Sequence, residues 1–280
     1  MAARRGARNM TAPSASDTPG SVAVSAFSVA SHLSQWARQS NDAKKGQHVY
    51  YFESIDSTNT YLKNSVQSRA ICLAAEQTAG RGRGSNRWFA QAGSSLLGSW
   101  SYRLSGAPSP QLTMRVGLAV IQAIELSLAQ SGAQLPSGTT LCLKAPNDIH
   151  SVSELGEVYK LAGLLVEVVS HTKKEVSLVI GLGLNLTDSP AHTEPFAATS
   201  LAELNVSITQ KLIFHLLDGI TAGFGELERN PQHQTGLLTE PERLALLSRL
   251  RPHPLFQSLI EVTPTGDLIY TDKTVAWTAL

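Results

Sequence analysis

The stretch EQTAGRGRGSNRWF, Glu76 to Phe89, is the part of this sequence best equipped for chemistry. It sets Gly80, Gly82 and Gly84 among Arg81, Arg83 and Arg87 and closes on Trp88. Glycines let a backbone approach a ligand closely and leave N–H groups free to point inward. Guanidinium forks match the oxygens of phosphate and carboxylate. The whole chain of 280 residues has a formal net charge of only +1, which argues against the broad basic face that bulk nucleic-acid binding needs. RNA-binding tails repeat such Gly/Arg units, whereas this chain has one copy between two expected strands. The loop therefore points to a small anionic ligand.

Further polar groups are spread along the chain. DSTN, Asp56 to Asn59, reads locally as a helix cap. KAPND, Lys144 to Asp148, reads as a Pro-Asn-Asp turn that ends a strand. Lys160 reads as the solvated start of the apolar strand LAGLLVEVV. GLGLN, Gly181 to Asn185, fails as a dinucleotide fingerprint because the third glycine would fall at Leu186. A Walker loop is absent from the sequence. Cys72 and Cys142 are the only cysteines, which makes neither a disulfide scaffold nor a metal site and fits a reducing compartment.

The elements that must position these residues follow from periodicity. Val29, Leu33, Trp36 and Ala37 have helical spacing over 28–40. Strands are expected at 48–54, 71–77 and 94–104, with a short helix capped by Ser57 or Thr58 between the first two. Pro108 and Pro110 precede a long amphipathic helix over 111–130. A strand over 139–149 runs into a turn. Two apolar strands, 162–170 and 176–185, flank the polar turn HTKKE. A second long helix covers about 208–227, an irregular polar stretch follows over 228–244, and two or three short strands surround Thr265-Gly266-Asp267. Helices and strands alternate with at least one hairpin, so the expected class is α+β, a mixed sheet covered by helices. No apolar run approaches the ~18 residues of a membrane-spanning helix on this reading.

Taken together and in order, IDSTNTYL, EQTAGRGRGSNRWF, LKAPNDI, YKLAGLLVEV and VIGLGLNL closely resemble the successive motifs of the biotin protein ligase family, from about Phe52 to Leu186 and more loosely to about residue 230. The resemblance implies an ATP-dependent enzyme that makes biotinyl-5′-AMP from biotin and ATP. It then passes biotin to a lysine of a biotin carboxyl carrier domain. It implies Mg²⁺ with the ATP, placed near Asp148. It places Ser57, Thr58, Asn59 and Gln77 on the biotin ring. Arg81, Gly82 and Arg83 lie over biotin and the adenylate phosphate, and Trp88 walls the site. By the same resemblance Lys160 matches the catalytic cation, with Gly163 and Leu165 expected to line the pocket on its strand. Asp148 receives or orients a proton of the acceptor lysine. Lys144, Asn147 and Asn185 lie near the nucleotide.

Two departures stand out. The family's K-W-P-N-D has Ala145 in place of tryptophan. The family's third loop arginine, two places before Trp88, is Asn86 here, with Arg87 one place later. Residues 1–26, with Arg4, Arg5 and Arg8 before the single acid Asp17, are expected to be a disordered leader; a mitochondrial-type transit peptide is the alternative to a cytoplasmic chain. The catalytic domain is expected over 27–230, with a linker and a reduced SH3-like β region over 231–280. No helix-turn-helix signal precedes residue 50, so DNA is not an expected partner, nor is a membrane. Two copies could pair through sheet edges. The competing readings are a lipoate or octanoate ligase of the same fold and a biotin-binding sensor that does not ligate.

Overall fold

The computed structural model describes residues 28–43, 47–65, 69–105, 109–172, 175–191, 196–230, 232 and 236–280. The expected leader lies outside them. Ten strands are described: β1 His48–Ile55, β2 Ala70–Gln77, β3 Ser95–Ser105, β4 Thr140–Lys144, β5 Asp148–Val152, β6 Val158–His171, β7 Glu175–Asn185, β8 Glu261–Val262, β9 Leu268–Ile269 and β10 Thr274–Val275. The helices are α1 Val29–Ala43, α2 Thr58–Lys63, α3 Pro110–Ser131, α4 Gln210–Arg229 and α5 Glu240–Leu250.

The large sheet runs β1-β2-β3-β7-β6-β5-β4. Only β1 and β2 pair in parallel; the others are antiparallel. This is the expected mixed sheet of an α+β fold. Side chains alternate along each strand. On β7, Leu178, Ile180, Leu182 and Leu184 enter the main core with α1, α3 and α4. Gly181 and Gly183 therefore face the opposite side, where α2 lies. That second face holds the site.

The four spaced residues of α1 are all buried in the main core, as their periodicity predicts. Trp100 meets Phe224 of α4 edge-to-face at 5.4 Å, and its indole N–H donates to Thr221. Helix α3 corrects the reading of apolar runs. An 18-residue window of it has mean hydropathy 1.5, enough by length and composition to cross a membrane, and 61% of that window is buried inside the protein. It packs chiefly on α4, as an interior helix.

Three other expectations change. The strand over 139–149 is a hairpin: β4 ends at Lys144, and β5 starts at Asp148 across a turn whose Ala145–Pro146 bond is cis. Lys160 lies inside β6 rather than before it, because β6 begins at Val158. Most of the polar stretch 228–244 precedes a real helix, α5. Its signal was legible: Thr239 and Glu242 have capping-box spacing and Pro241 sits in the first turn.

α5 is held by Arg115, an interior α3 residue only 3% exposed. Its guanidinium reaches both Glu242 oxygens, at 2.6 and 3.1 Å, and the carbonyls of Gly236 and Leu237. Burial works to raise the Glu242 carboxyl, but Arg115 and the Thr239 N–H outweigh it and bring it down to about 2. Removing one partner of such a pair strands the other charge. Arg115→Ala should cost about 3–5 kcal/mol by urea denaturation. A loss below about 1 kcal/mol would show that solvent already screens the pair.

Candidate functional site

The site builds up from the sheet face opposite the main helices. Ser57 caps α2, accepting from Thr60 N–H. This fixes the next two side chains. Gln77, at the end of β2, accepts from the Thr58 N–H at 2.8 Å and from its hydroxyl at 3.1 Å. Ser99 on β3 lies 2.7 Å from the Thr58 hydroxyl and also within reach of Asn59 Oδ1. The Asn59 amide rests against Gly181, where a Cβ would strike its oxygen. Ser57, Thr58, Asn59 and Gln77 form one end of a cavity of about 260 Å³.

The Gly/Arg loop closes another side as a small hairpin. Arg81 and Arg87 bridge, Gly82 N–H donates to the Asn86 carbonyl, and Trp88 N–H donates to that of Gly80. Gly84 takes φ +58°, a conformation that favours glycine. The Trp88 indole lies on the bare backbone of Gly163 and Gly183; a Cβ on Gly163 would come within 2.7 Å of it. These glycines admit a flat wall.

The far end is cationic. Lys160 Nζ lies 2.9 Å from Asp148 Oδ1 and 5.7 Å from the centre of the Trp88 ring. Lys144 Nζ is 3.9 Å from Asp148 Oδ2. Asn147 is clamped to β6: its side-chain amide donates to the Leu164 carbonyl, and its backbone carbonyl accepts the Leu164 N–H. The Arg83 guanidinium has no hydrogen-bond or ion-pair partner among the described residues, and Arg83 borders both this cavity and a neighbouring one of about 200 Å³. A carboxylate and a phosphate could thus meet among Lys144, Lys160 and Arg83, in a partly closed site where fixed charges act strongly.

One cavity therefore collects Ser57, Thr58, Asn59, Gln77, Arg81, Gly82, Arg83, Trp88, Lys144, Asn147, Asp148, Lys160, Gly163 and Leu165. Asn185 is the exception among the residues expected here. It is buried at the end of β7, donates to the Thr199 carbonyl and lies near Ser95 Oγ, and does not line the cavity. Its amide braces the strand end. The departures also resolve. Ala145 is buried within the main core, so neighbours have filled its surroundings. The Arg87 guanidinium binds the Thr78 carbonyl and sits over the Phe89 ring. It does not replace an arginine at Asn86.

Sequence reasoning missed Glu167, whose carboxylate meets Asn59, Lys63 and Arg81. The available signal was an acid within the apolar run AGLLVEVV. It also missed the buried pair His150 and His253. Leu255 N–H donates to His253 Nδ1, so His253 Nε2 carries the proton and donates to His150 Nδ1 at 3.2 Å. His150 Nε2–H is then buried without a partner among the described residues. His150 stands opposite Lys160 across β5 and β6, under Phe196 and His253.

Burial first, then His253, Lys160 and Lys144, bring His150 down to about 3; burial and Lys144 bring His253 to about 4. Both stay neutral in the fold. An unfolded chain protonates them near their ordinary value, so their contribution is complete above about pH 6.5. It is lost as pH falls from there towards 4 and 3. Each histidine should add about 1.4 kcal/mol per pH unit to that slope. Urea midpoints at pH 7 and 5 test this against His253→Gln. Equal slopes for the two proteins would discard the pair as the source.

The family model for the biotin/lipoate A/B protein ligase family matches residues 51–185. The bifunctional ligase/repressor BirA of Escherichia coli K12 is 33% identical over 144 residues, covering 50% of this chain and 41% of that protein. The biotin–[acetyl-CoA-carboxylase] ligase of Mycobacterium tuberculosis is 34% identical over 159 residues, covering 54% and 53%. The chain spans about half the length of the curated relatives it matches. Among solved structures, the Aquifex aeolicus biotin protein ligase in complex with biotin and ATP aligns with TM-score 0.57 at 20% identity, covering 81% of this chain and 93% of that one. The Leishmania major biotin protein ligase in complex with biotin aligns with TM-score 0.55 at 20% identity, covering 81% and 96%. At such identity the structural likeness is one of fold.

Proposed function

We propose, from the match of residues 51–185 to the biotin/lipoate A/B protein ligase family model, that this protein is an ATP-dependent biotin protein ligase acting on a biotin carboxyl carrier domain. The observation that carries the reading is the two-ended cavity. Ser57, Thr58, Asn59 and Gln77 offer neutral donors and acceptors, as a ureido ring requires. Lys144, Lys160 and Arg83 offer cations where two anions must meet.

In the first step a biotin carboxylate oxygen attacks the α-phosphorus of ATP. The bond to the β-phosphate oxygen breaks and diphosphate leaves with the electron pair. Lys160 sits as a point charge beside the developing negative charge, and Arg83 faces the phosphate side. Lys160 is not a nucleophile in this scheme. In the second step the amine of the carrier lysine attacks the biotinyl carbonyl carbon. The bond to the AMP oxygen breaks, and Asp148 receives or orients the proton leaving that amine.

Mg²⁺ belongs to the nucleotide in this reading. Asp148 is the only carboxylate side chain lining the cavity among the described residues, and two lysines flank it. That donor set does not fit a resident divalent cation, which prefers more oxygen ligands and fewer cationic neighbours.

The test mixes the protein with ATP, Mg²⁺, labelled biotin and an apo carrier domain. Label on the carrier lysine is the expected result. Biotin binding without transfer would replace this reading with that of a sensor, and preferential lipoate transfer with that of a lipoate ligase.

A further inference from the structure

Glu167 follows Leu165 by two residues on β6 and faces the site, with its side chain only 14% exposed. Oε2 accepts from Asn59 Nδ2 at 3.0 Å. Oε1 receives Lys63 Nζ at 2.9 Å and one Arg81 nitrogen at 3.1 Å; the other reaches Oε2 at 3.5 Å. The donors come from two separate pieces of chain: Asn59 and Lys63 from α2, and Arg81 from the Gly/Arg loop.

The consequence for Asn59 is geometric. Its Nδ2 is given to Glu167 and, more weakly, to the Leu165 carbonyl at 3.4 Å. Its Oδ1 lies against Gly181 and within reach of the Ser99 hydroxyl. Flipping the amide would aim Oδ1 at a carboxylate and an amino group at the Gly181 backbone. The acid therefore decides which way round the Asn59 amide is held. The same acid holds the first arm of the loop down. Burial works to neutralise the carboxyl, but the hydrogen bonds from Asn59 and Lys63 and the Arg81 charge outweigh it and keep it ionised.

We propose that Glu167 is a positioning residue that couples the two sides of the site: one carboxylate orients Asn59 on the floor and pins Arg81 of the loop, so recognition of the ligand's polar head and closure over it rise and fall together. What the ligand is rests on the biotin ligase reading, whereas the coupling rests on geometry alone. A purely structural ion pair would stabilise the fold without linking the two sides.

The test is a double-mutant cycle on the full chain with Glu167→Gln, Arg81→Ala and both. Glutamine keeps an oxygen for Asn59 but loses the charge that holds Arg81. Without ligand, hydrogen exchange of the loop amides 80–88 should quicken about tenfold in each single variant, or about 1.4 kcal/mol, and no further in the double. The dissociation constant for biotin should rise by a similar factor in Glu167→Gln, with the melting temperature unchanged. Additive effects in the double, or unchanged loop exchange, would overturn the coupling. If Glu167→Gln lowers the melting temperature, Arg81→Ala carries the test: a loosened loop with unaltered biotin affinity overturns it. A wild-type protein that binds no biotin removes the ligase reading, while the exchange cycle still decides the coupling.

Discussion

Replacing Lys160 with alanine is expected to slow biotinyl-adenylate formation about a hundred- to a thousandfold, the range typical for removing one preorganised group from a developing charge. The geometry behind this number is the meeting of two anions. A carboxylate approaching a phosphate in a partly closed cavity is repelled unless a cation lies between them. Lys160 is held in place by Asp148 at 2.9 Å and by the nearby Trp88 ring. The fold should survive the change. Lys160 Nζ is partly solvated, and its loss leaves Asp148 with Lys144 at 3.9 Å. Such a pair contributes about 1 kcal/mol or less. Single-turnover measurement of labelled adenylate, alongside a melting curve, checks both halves. A variant that melts early shows a structural lysine; a folded variant with wild-type adenylation shows that the charge is supplied elsewhere.

The second large effect concerns glycines that look like packing residues. Gly181→Ala would drive a methyl group into the Asn59 amide, and Gly183→Ala would drive one into the Trp88 indole. Neither neighbour is free to yield without cost. Asn59 is tied to Glu167 and close to Ser99, and Trp88 closes the loop hairpin. Overpacking should cost about 1–3 kcal/mol of stability. The larger consequence is at the ligand. Displacing Asn59 removes a positioned polar partner worth about 1–3 kcal/mol, so Gly181→Ala should weaken biotin binding about ten- to a hundredfold. Gly183→Ala should lift Trp88 and lower affinity through the loop. Isothermal titration with biotin separates these outcomes from simple destabilisation. Wild-type affinity in a folded Gly181→Ala protein would mean that the amide does not touch the ligand.

These glycines also show where sequence reasoning runs out. Gly181 and Gly183 alternate along an apolar strand, so their common face was legible. What that face meets was not, because Asn59 and Trp88 lie about a hundred positions away in the chain. The same holds for Glu167. One acid in an apolar strand signals a partner without naming it, and its partners sit on α2 and the Gly/Arg loop. Asn185 shows the opposite case. Its motif gave it a place near the nucleotide, and what the motif did not tell is that its amide donates to the Thr199 carbonyl. Helix α5 carried a local start signal in Thr239, Pro241 and Glu242, but the stretch reads as irregular and polar because its anchor, Arg115, lies far upstream on α3.

By itself the sequence determined the elements that local periodicity and caps control: α1, the long helices, the β6–β7 hairpin and the Gly266 turn. It also determined the chemical inventory of the site, since residue types and motif order require no coordinates. Tertiary structure decided what depends on contacts between distant segments. It placed the glycines under an amide and an indole, set Lys160 inside a strand beside Asp148, tied Arg81 to Glu167, and buried His150 against His253. The physical reason is range: caps, turns and hydrophobic periods are settled within a few residues, whereas burial, charge pairing and close backbone approach exist only once the sheet has assembled.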